Sequence, residues 1–409
     1  MKRIVSLTAL ALLSAFSWAY PLAIVGARLE ASPGKVIENA TIVIDGDRII
    51  SVGAGAAAPN GATVIDAKGK YAYAGFIDGY TLRGMKLPET PNQNPRTATN
   101  SAPATMWEEN RKGIRAHLKT ADHLDIPAIM EDCHKAGITT AFFNPGNGTI
   151  RGTGSVAPIT DGTVTATSFG MELSFRGGGG GGYPGSLMGI VALLRQTFHD
   201  TIYANQYPSD KPDVTYVALN PLLTGKVPAV FQADTEVDIV RAIALGEEFK
   251  FAVILKGARD AYKRAEWLAA KKISVISDIA VGTEPKTTAS EDGPPVAVLE
   301  ERLANWKLRA SGPSKLASAG VRFAFTSDGD SLRQFLPNLR MIVKQGLSKE
   351  AALKALTTDA AAILGLTDVG TVENGMKANL VIASGDVFDD QTKIEHVFVL
   401  GKQFKYEGK

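Results

Sequence analysis

Both ends of this chain carry the every-second-residue alternation of β-strands, and between them strands and helices take turns. Residues 22–29, 36–44 and 48–52 read as strands, with Asp45-Gly46 as a hairpin turn, and 63–65 and 71–76 follow. The last segment has the same texture at 379–383, 394–400 and 403–406, with a Gly401-Lys402 turn. Two strand-rich ends around a helical middle predict one composite β-sandwich domain formed by both termini, residues 20–72 and 366–409. Residues 73–365 would then be a second domain.

That middle repeats one unit. Strands at 138–143, 229–231, 251–255, 274–277 and 321–325 alternate with helices at 126–136, 187–202, 235–249, 259–270, 332–345 and 349–364. Repeated βα units imply a parallel sheet with helices over it, an α/β architecture. About six units are plain. Eight would close a TIM-like (β/α)8 barrel, whose chemistry sits at the C-terminal ends of its strands.

Residues 1–19 read as a secretory signal peptide. Lys2 and Arg3 precede an apolar run, and Ser17 and Ala19 put small residues at the −3 and −1 positions of a cut after Ala19. The run is too short for a bilayer, which takes about 20 residues. The mature protein is therefore expected to be secreted or periplasmic, with no membrane span. Removing the signal leaves 42 bases against 42 acids, a balance unsuited to nucleic acid, which demands clustered cations. A composition of 45% hydrophobic and 21% charged residues excludes a disordered chain. The single cysteine, Cys133, excludes an internal disulfide and any zinc site built on several thiolates. A small-molecule ligand or substrate is the partner this leaves, and self-association is compatible with it.

Two stretches break the pattern. Residues 87–106, rich in Pro, Thr and Asn, read as a long loop after the first barrel strand. Residues 177–182 are consecutive glycines and read as a mobile flap, or as a backbone nest for an anion helped by Arg176. Asn144–Gly148 and Arg151–Gly154 are turn-rich and read as loops near the mouth.

Several segments resemble amidohydrolases of the imidazolonepropionase-like branch. Tyr73-Ala74-Gly75-Phe76-Ile77-Asp78 is similar to the "PGFID" segment that opens their barrel. The "IDGDRIISVG" hairpin, the Phe325-Thr326-Ser327-Asp328-Gly329 segment and "GTVENGMKANLVIASGD" resemble their first hairpin, eighth strand and return to the terminal domain. A further block, "YPGSLMGIVALLRQ", resembles secreted amidohydrolase-like proteins that lack the first histidines. The resemblance implies a hydrolase acting on C–N bonds of the amide type. It also implies a divalent metal, zinc, which lowers the pKa of a bound water to about 7.

The ligands implied are His-x-His after strand one, one His each after strands five and six, and an Asp after strand eight. Here those stations read Gly79, Thr81, Gln232, Lys256 and Asp328. Glycine has no donor atom, Gln is a weak neutral ligand, and a protonated Lys repels a cation. A subgroup with degenerate metal ligands is the expectation. Carboxylates and Gln232 could alternatively hold Ca²⁺ or Mg²⁺. Asp328 and Lys256 become the candidate catalytic pair, or an ion pair replacing a lost metal. Gln232, Thr81, Arg176 and Asp278 become candidate substrate-binding residues, with Asp78 and Asp330 also at strand ends. His117, His123, His134, His199 and His396 fall at none of the predicted strand ends, although His117 and His123 could fold over the mouth. The alternative is a catalytically inactive barrel that binds a small ligand or a protein partner.

Overall fold

The computed structural model describes residues 21–87, 113–161, 165–177, 184–288 and 293–406. The signal segment, nearly all of the 87–106 loop and glycines 178–182 lie outside the described residues.

The chain opens with β1 (Leu22–Ser32), β2 (Lys35–Asp45), β3 (Arg48–Ala54), β4 (Thr63–Asp66) and β5 (Tyr71–Ala74). β1 is the organising strand. It pairs antiparallel with β2, while its first half runs parallel to β4 and its second half parallel to β5. Gly26 lies at the division with φ +84, and a Cβ there would sit 3.3 Å from the Lys68 backbone. Only glycine takes that conformation without strain, so the strand can bend at this point.

The barrel follows as β6 (Phe76–Thr81), β7 (Ile138–Phe143), β8 (Ile150–Pro158), β9 (Thr167–Ser174), β10 (Ala229–Ala233), β11 (Val253–Gly257), β12 (Ser274–Asp278) and β13 (Phe323–Thr326). They form one sheet in sequence order. Seven strands are parallel, but β8 runs antiparallel between β7 and β9. The connections at 144–149 and 159–166 explain it, because a parallel crossover needs about a dozen residues and these can only turn back. The reading of Arg151–Gly154 as a loop is thereby corrected. Its glycines serve close approach: a Cβ on Gly152 would meet the Leu118 carbonyl at 2.4 Å, and one on Gly154 the Phe142 ring at 2.5 Å. The fold is a nearly closed α/β TIM-like barrel. Side chains bring β13 back to β6, with the Thr326 hydroxyl donating to the Tyr80 carbonyl and Ser327 N donating to Asp78 Oδ1 at 3.0 Å.

β14 (Leu380–Ala383), β15 (Ile394–Val399) and β16 (Lys402–Lys405) return to the first sheet, where β14 pairs antiparallel with β5. Both termini thus build one sheet, hydrogen-bonded continuously and forked at β1.

Helices cover the barrel. Leu187–Gln206 is capped by Ser186, whose Oγ accepts from Gly189 N, and Glu236–Phe249 is capped in the same way by Thr235. The expected helices at 126–136, 259–270, 332–345 and 349–364 are each broken into two shorter pieces. Helices Val214–Leu223 and Val296–Ala310 were not anticipated. Alternation divides each strand between two cores. Ile77, Val230, Ile254, Ile276 and Ala324 fill the barrel interior, whereas Phe231, Leu255, Val275 and Phe325 pack outward against the helices.

Candidate active site at the barrel mouth

One step beyond the interior layer, the same alternation carries polar groups to the mouth. Gln232 follows Val230, Lys256 follows Ile254 and Asp278 follows Ile276, with Gln232 and Lys256 directly paired across β10 and β11. Lys256, only 6% exposed, donates from Nζ to Asp328 Oδ2 at 2.8 Å and stands 3.7 Å from Asp278 Oδ1. Its ammonium also lies 4.7 Å from the centre of the Tyr80 ring. Burial pulls its pKa down, but Asp278 and Asp328 outweigh that and hold it above the ordinary lysine value. Burial pushes the Asp278 carboxyl up, with Lys256 opposing. Asp278 Oδ1 is shielded from solvent and has no hydrogen-bond partner among the described residues.

A second buried network adjoins the first. Arg151 of β8 donates to Glu172 of β9 at 2.5 Å, to Gln232 Oε1 at 2.7 Å and to the Gly148 carbonyl at 3.1 Å. The Tyr80 hydroxyl donates to the same Glu172 carboxylate, and Gly146 N donates to its other oxygen at 3.2 Å. Burial and the neighbouring Glu172 push the Tyr80 phenol well above its ordinary value. Burial lowers the Arg151 pKa, but Glu172 and Tyr80 overcome it and leave the guanidinium firmly charged.

A third network closes the barrel seam. Asp78 accepts from Tyr80 N and from the backbone and hydroxyl of Ser327. Burial raises its carboxyl to about 6 in spite of those bonds. Arg83 ties the seam by donating to the Ser327 carbonyl at 3.0 Å and to the Asp330 carbonyl.

The candidate residues therefore divide. Lys256, Asp328 and Asp278 come together, and Gln232 joins through Arg151. Thr81 does not join, since its hydroxyl accepts from Arg83 N at 3.1 Å in a local turn. Arg176 sits at the rim, largely exposed and 3.8 Å from Asp234. Asp330 is held by Ser331 N and Asn338. The assignment of the first two stations to Gly79 and Thr81 needs correction as geometry. Register slips between Asp78 and Thr81, and the β6 side chain that reaches the cluster is Tyr80. A Cβ on Gly79 would lie 2.9 Å from the Phe325 carbonyl and 3.1 Å from Ala324 Cβ. Sequence reasoning misses Glu172 altogether and places Arg151 only in a loop near the mouth. Glu172 had a signal, a lone charge between the outward-facing apolar Met171 and Leu173.

The histidines stand elsewhere. His134 is fully buried between the Tyr406 hydroxyl and the Ile159 carbonyl, both at 2.8 Å. His396 contacts Gln403 at 2.9 Å, and His199 packs on Phe249. Burial and Arg115 hold His117 below the usual imidazole range. Burial of Cys133 drives its thiol far up, which makes it a poor nucleophile.

The donors at the mouth do not fit zinc. Zinc takes imidazole, thiolate or carboxylate ligands. Here an ammonium faces two of the carboxylates, and the Gln232 oxygen is committed to Arg151. Among the described residues no group of three or more His, Cys, Asp and Glu side chains is placed to share a metal.

The paired acid and base side chains lie at the C-terminal ends of the strands, the face on which α/β barrels carry their chemistry. Comparison with known proteins points to the chain's kin. Residues 311–404 match the model of the amidohydrolase family. The imidazolonepropionase of Streptomyces griseus is 23% identical over 86% of this chain and 87% of its own. An amidohydrolase structure from Thermotoga maritima superposes with a TM-score of 0.76 at 22% identity, covering 94% of this chain and all of that one. These likenesses support the amidohydrolase superfamily, and within it the imidazolonepropionase-like branch, as the kin of this chain.

Proposed function

We propose that this protein is a secreted or periplasmic hydrolase of an amide-type C–N bond in a small substrate, and that it works with an internal cation where the family resemblance implies a metal. The observation that carries this is the Lys256 ammonium, 2.8 Å from Asp328 and 3.7 Å from Asp278 at the ends of three barrel strands. In this reading Asp328 takes the proton of the attacking water as the new C–O bond forms. Lys256 faces the oxygen that becomes negative, and the proton passes to the leaving nitrogen as the C–N bond breaks. The stations at Tyr80, Gln232 and Lys256 would mark a subgroup with degenerate ligands.

The test uses chelator-treated protein and a panel of N-acyl and cyclic amides. Turnover should survive chelation and vanish in Asp328→Asn; undiminished turnover in that variant refutes the assignment. Export is tested by sequencing the N-terminus of the extracellular protein, which should begin at Tyr20.

One observation favours a second reading, a barrel that binds without turning over. Arg151, Glu172, Tyr80 and Gln232 satisfy one another. Saturable ligand binding with no hydrolysis across the panel would select it.

A further inference from the structure

A cavity of about 740 Å³ opens on the flank of the barrel, lined from helices Met130–Lys135 and Phe335–Lys344 and from β15 and β16. Lys256, Asp278 and Asp328 do not border it, so it is separate from the mouth. Its size falls within the range of about 300–1,000 Å³ that small-molecule sites occupy.

The floor is apolar. Ala136, Leu332, Leu336 and Ile394 line it and belong to the packed core beneath. Above them the charge is one-sided, since five cations border the cavity against two acids. Lys135 is answered by Glu131 of its own helix. Among the described residues, Arg333, Arg340 and Lys393 have no carboxylate within 4.0 Å. Arg340 is the decisive one, because it is only 7% exposed. It donates to the Val387 carbonyl at 2.9 Å, the Asp390 carbonyl at 3.1 Å and the Thr392 carbonyl at 2.9 Å. Those acceptors satisfy its hydrogen bonds and leave its charge unanswered. The nearby carboxylates serve other cations, Asp386 pairing with Lys349 at 2.7 Å and Asp390 with Lys344 at 2.9 Å. Burial accordingly lowers the Arg340 pKa in spite of Asp390, Asp389 and Asp386. A buried charge ordinarily has a counter-charge. Leu336 and Arg340 stand one turn apart on one helix, so the apolar floor and the unanswered charge share a face.

We infer that this cavity binds an organic carboxylate with an apolar body, the body on Leu332, Leu336 and Ile394 and the carboxylate among Arg333, Arg340 and Lys393. An apolar floor alone accepts any oily molecule. The surplus of positive charge selects an acid, and guanidinium groups match carboxylates in shape and charge. The inference goes beyond the hydrolase proposed for the mouth and holds whether or not that site turns over.

Calorimetric titration of the purified protein with octanoate, octanol and acetate tests it, because these probes separate apolar body from charge. Octanoate should bind about tenfold more tightly than either octanol or acetate. Arg333 and Lys393 are exposed, so replacing them leaves the core untouched. The Arg333→Met/Lys393→Met double variant should lose about tenfold for octanoate and leave octanol unchanged. Removing two cations elsewhere, in Lys263→Met/Lys271→Met, should leave octanoate binding as it was. The inference is overturned if octanoate and octanol bind alike, if octanoate fails to bind at about 10 mM, or if the Arg333/Lys393 variant binds it as the wild type does. Binding of octanoate only to a variant that ends at Tyr406 would give the cavity to the chain's own last residues. A dimer that the Arg333/Lys393 variant dissolves, with no octanoate bound, would give it to a second copy. Either result also overturns the inference.

Discussion

Lys256 on β11 reaches Asp328, just past the end of β13, at 2.8 Å, and so bridges two strands that do not neighbour each other in the sheet. Asp278, at the end of the strand between them, faces the same ammonium at 3.7 Å. One cation thus serves two carboxylates. Removing it leaves them unbalanced in a largely dry mouth, and Lys256→Met should cost about 3 kcal/mol of stability in urea unfolding. The double variant Lys256→Met/Asp328→Asn should recover part of that. A loss below about 0.5 kcal/mol for the single variant would mean the pair is screened like a surface one.

The Arg151–Glu172 pair is buried more deeply, with side chains 5% and 1% exposed. Glu172→Gln strands a guanidinium without its counter-charge and should cost roughly 3–5 kcal/mol. Replacing both residues by methionine should cost less than either single change. Tyr80→Phe removes one donor to the carboxylate and should cost about 1 kcal/mol. A double loss equal to the sum of the two single losses would show that the pair is not coupled.

Asp78 gives the barrel a pH dependence of defined sign. Burial raises its carboxyl from the ordinary 3.8 to about 6, so the folded state holds this proton more tightly than the unfolded chain. The stability it contributes is full below about pH 4 and is lost as pH rises through 6. Between pH 4 and 8 the wild type should lose roughly 3 kcal/mol relative to Asp78→Asn. Melting temperatures of both proteins across that range provide the check, and parallel curves would contradict it.

Zinc should find no home at the mouth. Purified protein is expected to carry well under one equivalent by elemental analysis, and added zinc or chelator should leave the melting temperature unchanged. A stoichiometric, stabilising zinc ion would contradict the arrangement of Lys256 with its two aspartates.

Gly79 is set by packing. A methyl there would press on the Phe325 carbonyl at 2.9 Å, a backbone atom in a closed seam. Gly79→Ala should destabilise by about 1–3 kcal/mol, and larger side chains by more. A neutral alanine would mean that the seam between β6 and β13 yields easily.

Much of the mouth was legible before any coordinates. Residues 232, 256, 278 and 328 could be placed at strand ends because a strand, its alternation and the turn after it are local properties of the chain. The apolar residue two positions earlier marks the face on which Gln232, Lys256 and Asp278 emerge. The shared texture of the two termini pointed to one composite β-sandwich, of which the structure shows a single sheet joined from both ends. What local pattern could not settle was pairing. Arg151-Gly152-Thr153-Gly154 has the composition of a turn, yet β7 and β9 hold it in the barrel wall from both sides. The Arg151–Glu172–Tyr80 network exists only once β6, β8 and β9 have met. A one-residue slip in β6 sends Tyr80, not its neighbours, into the cluster. The sequence by itself determined which side chains could line a strand end. Only the tertiary structure decided which of them share a low-dielectric space, because charge pairing and room for a side chain depend on distances between strands remote along the chain.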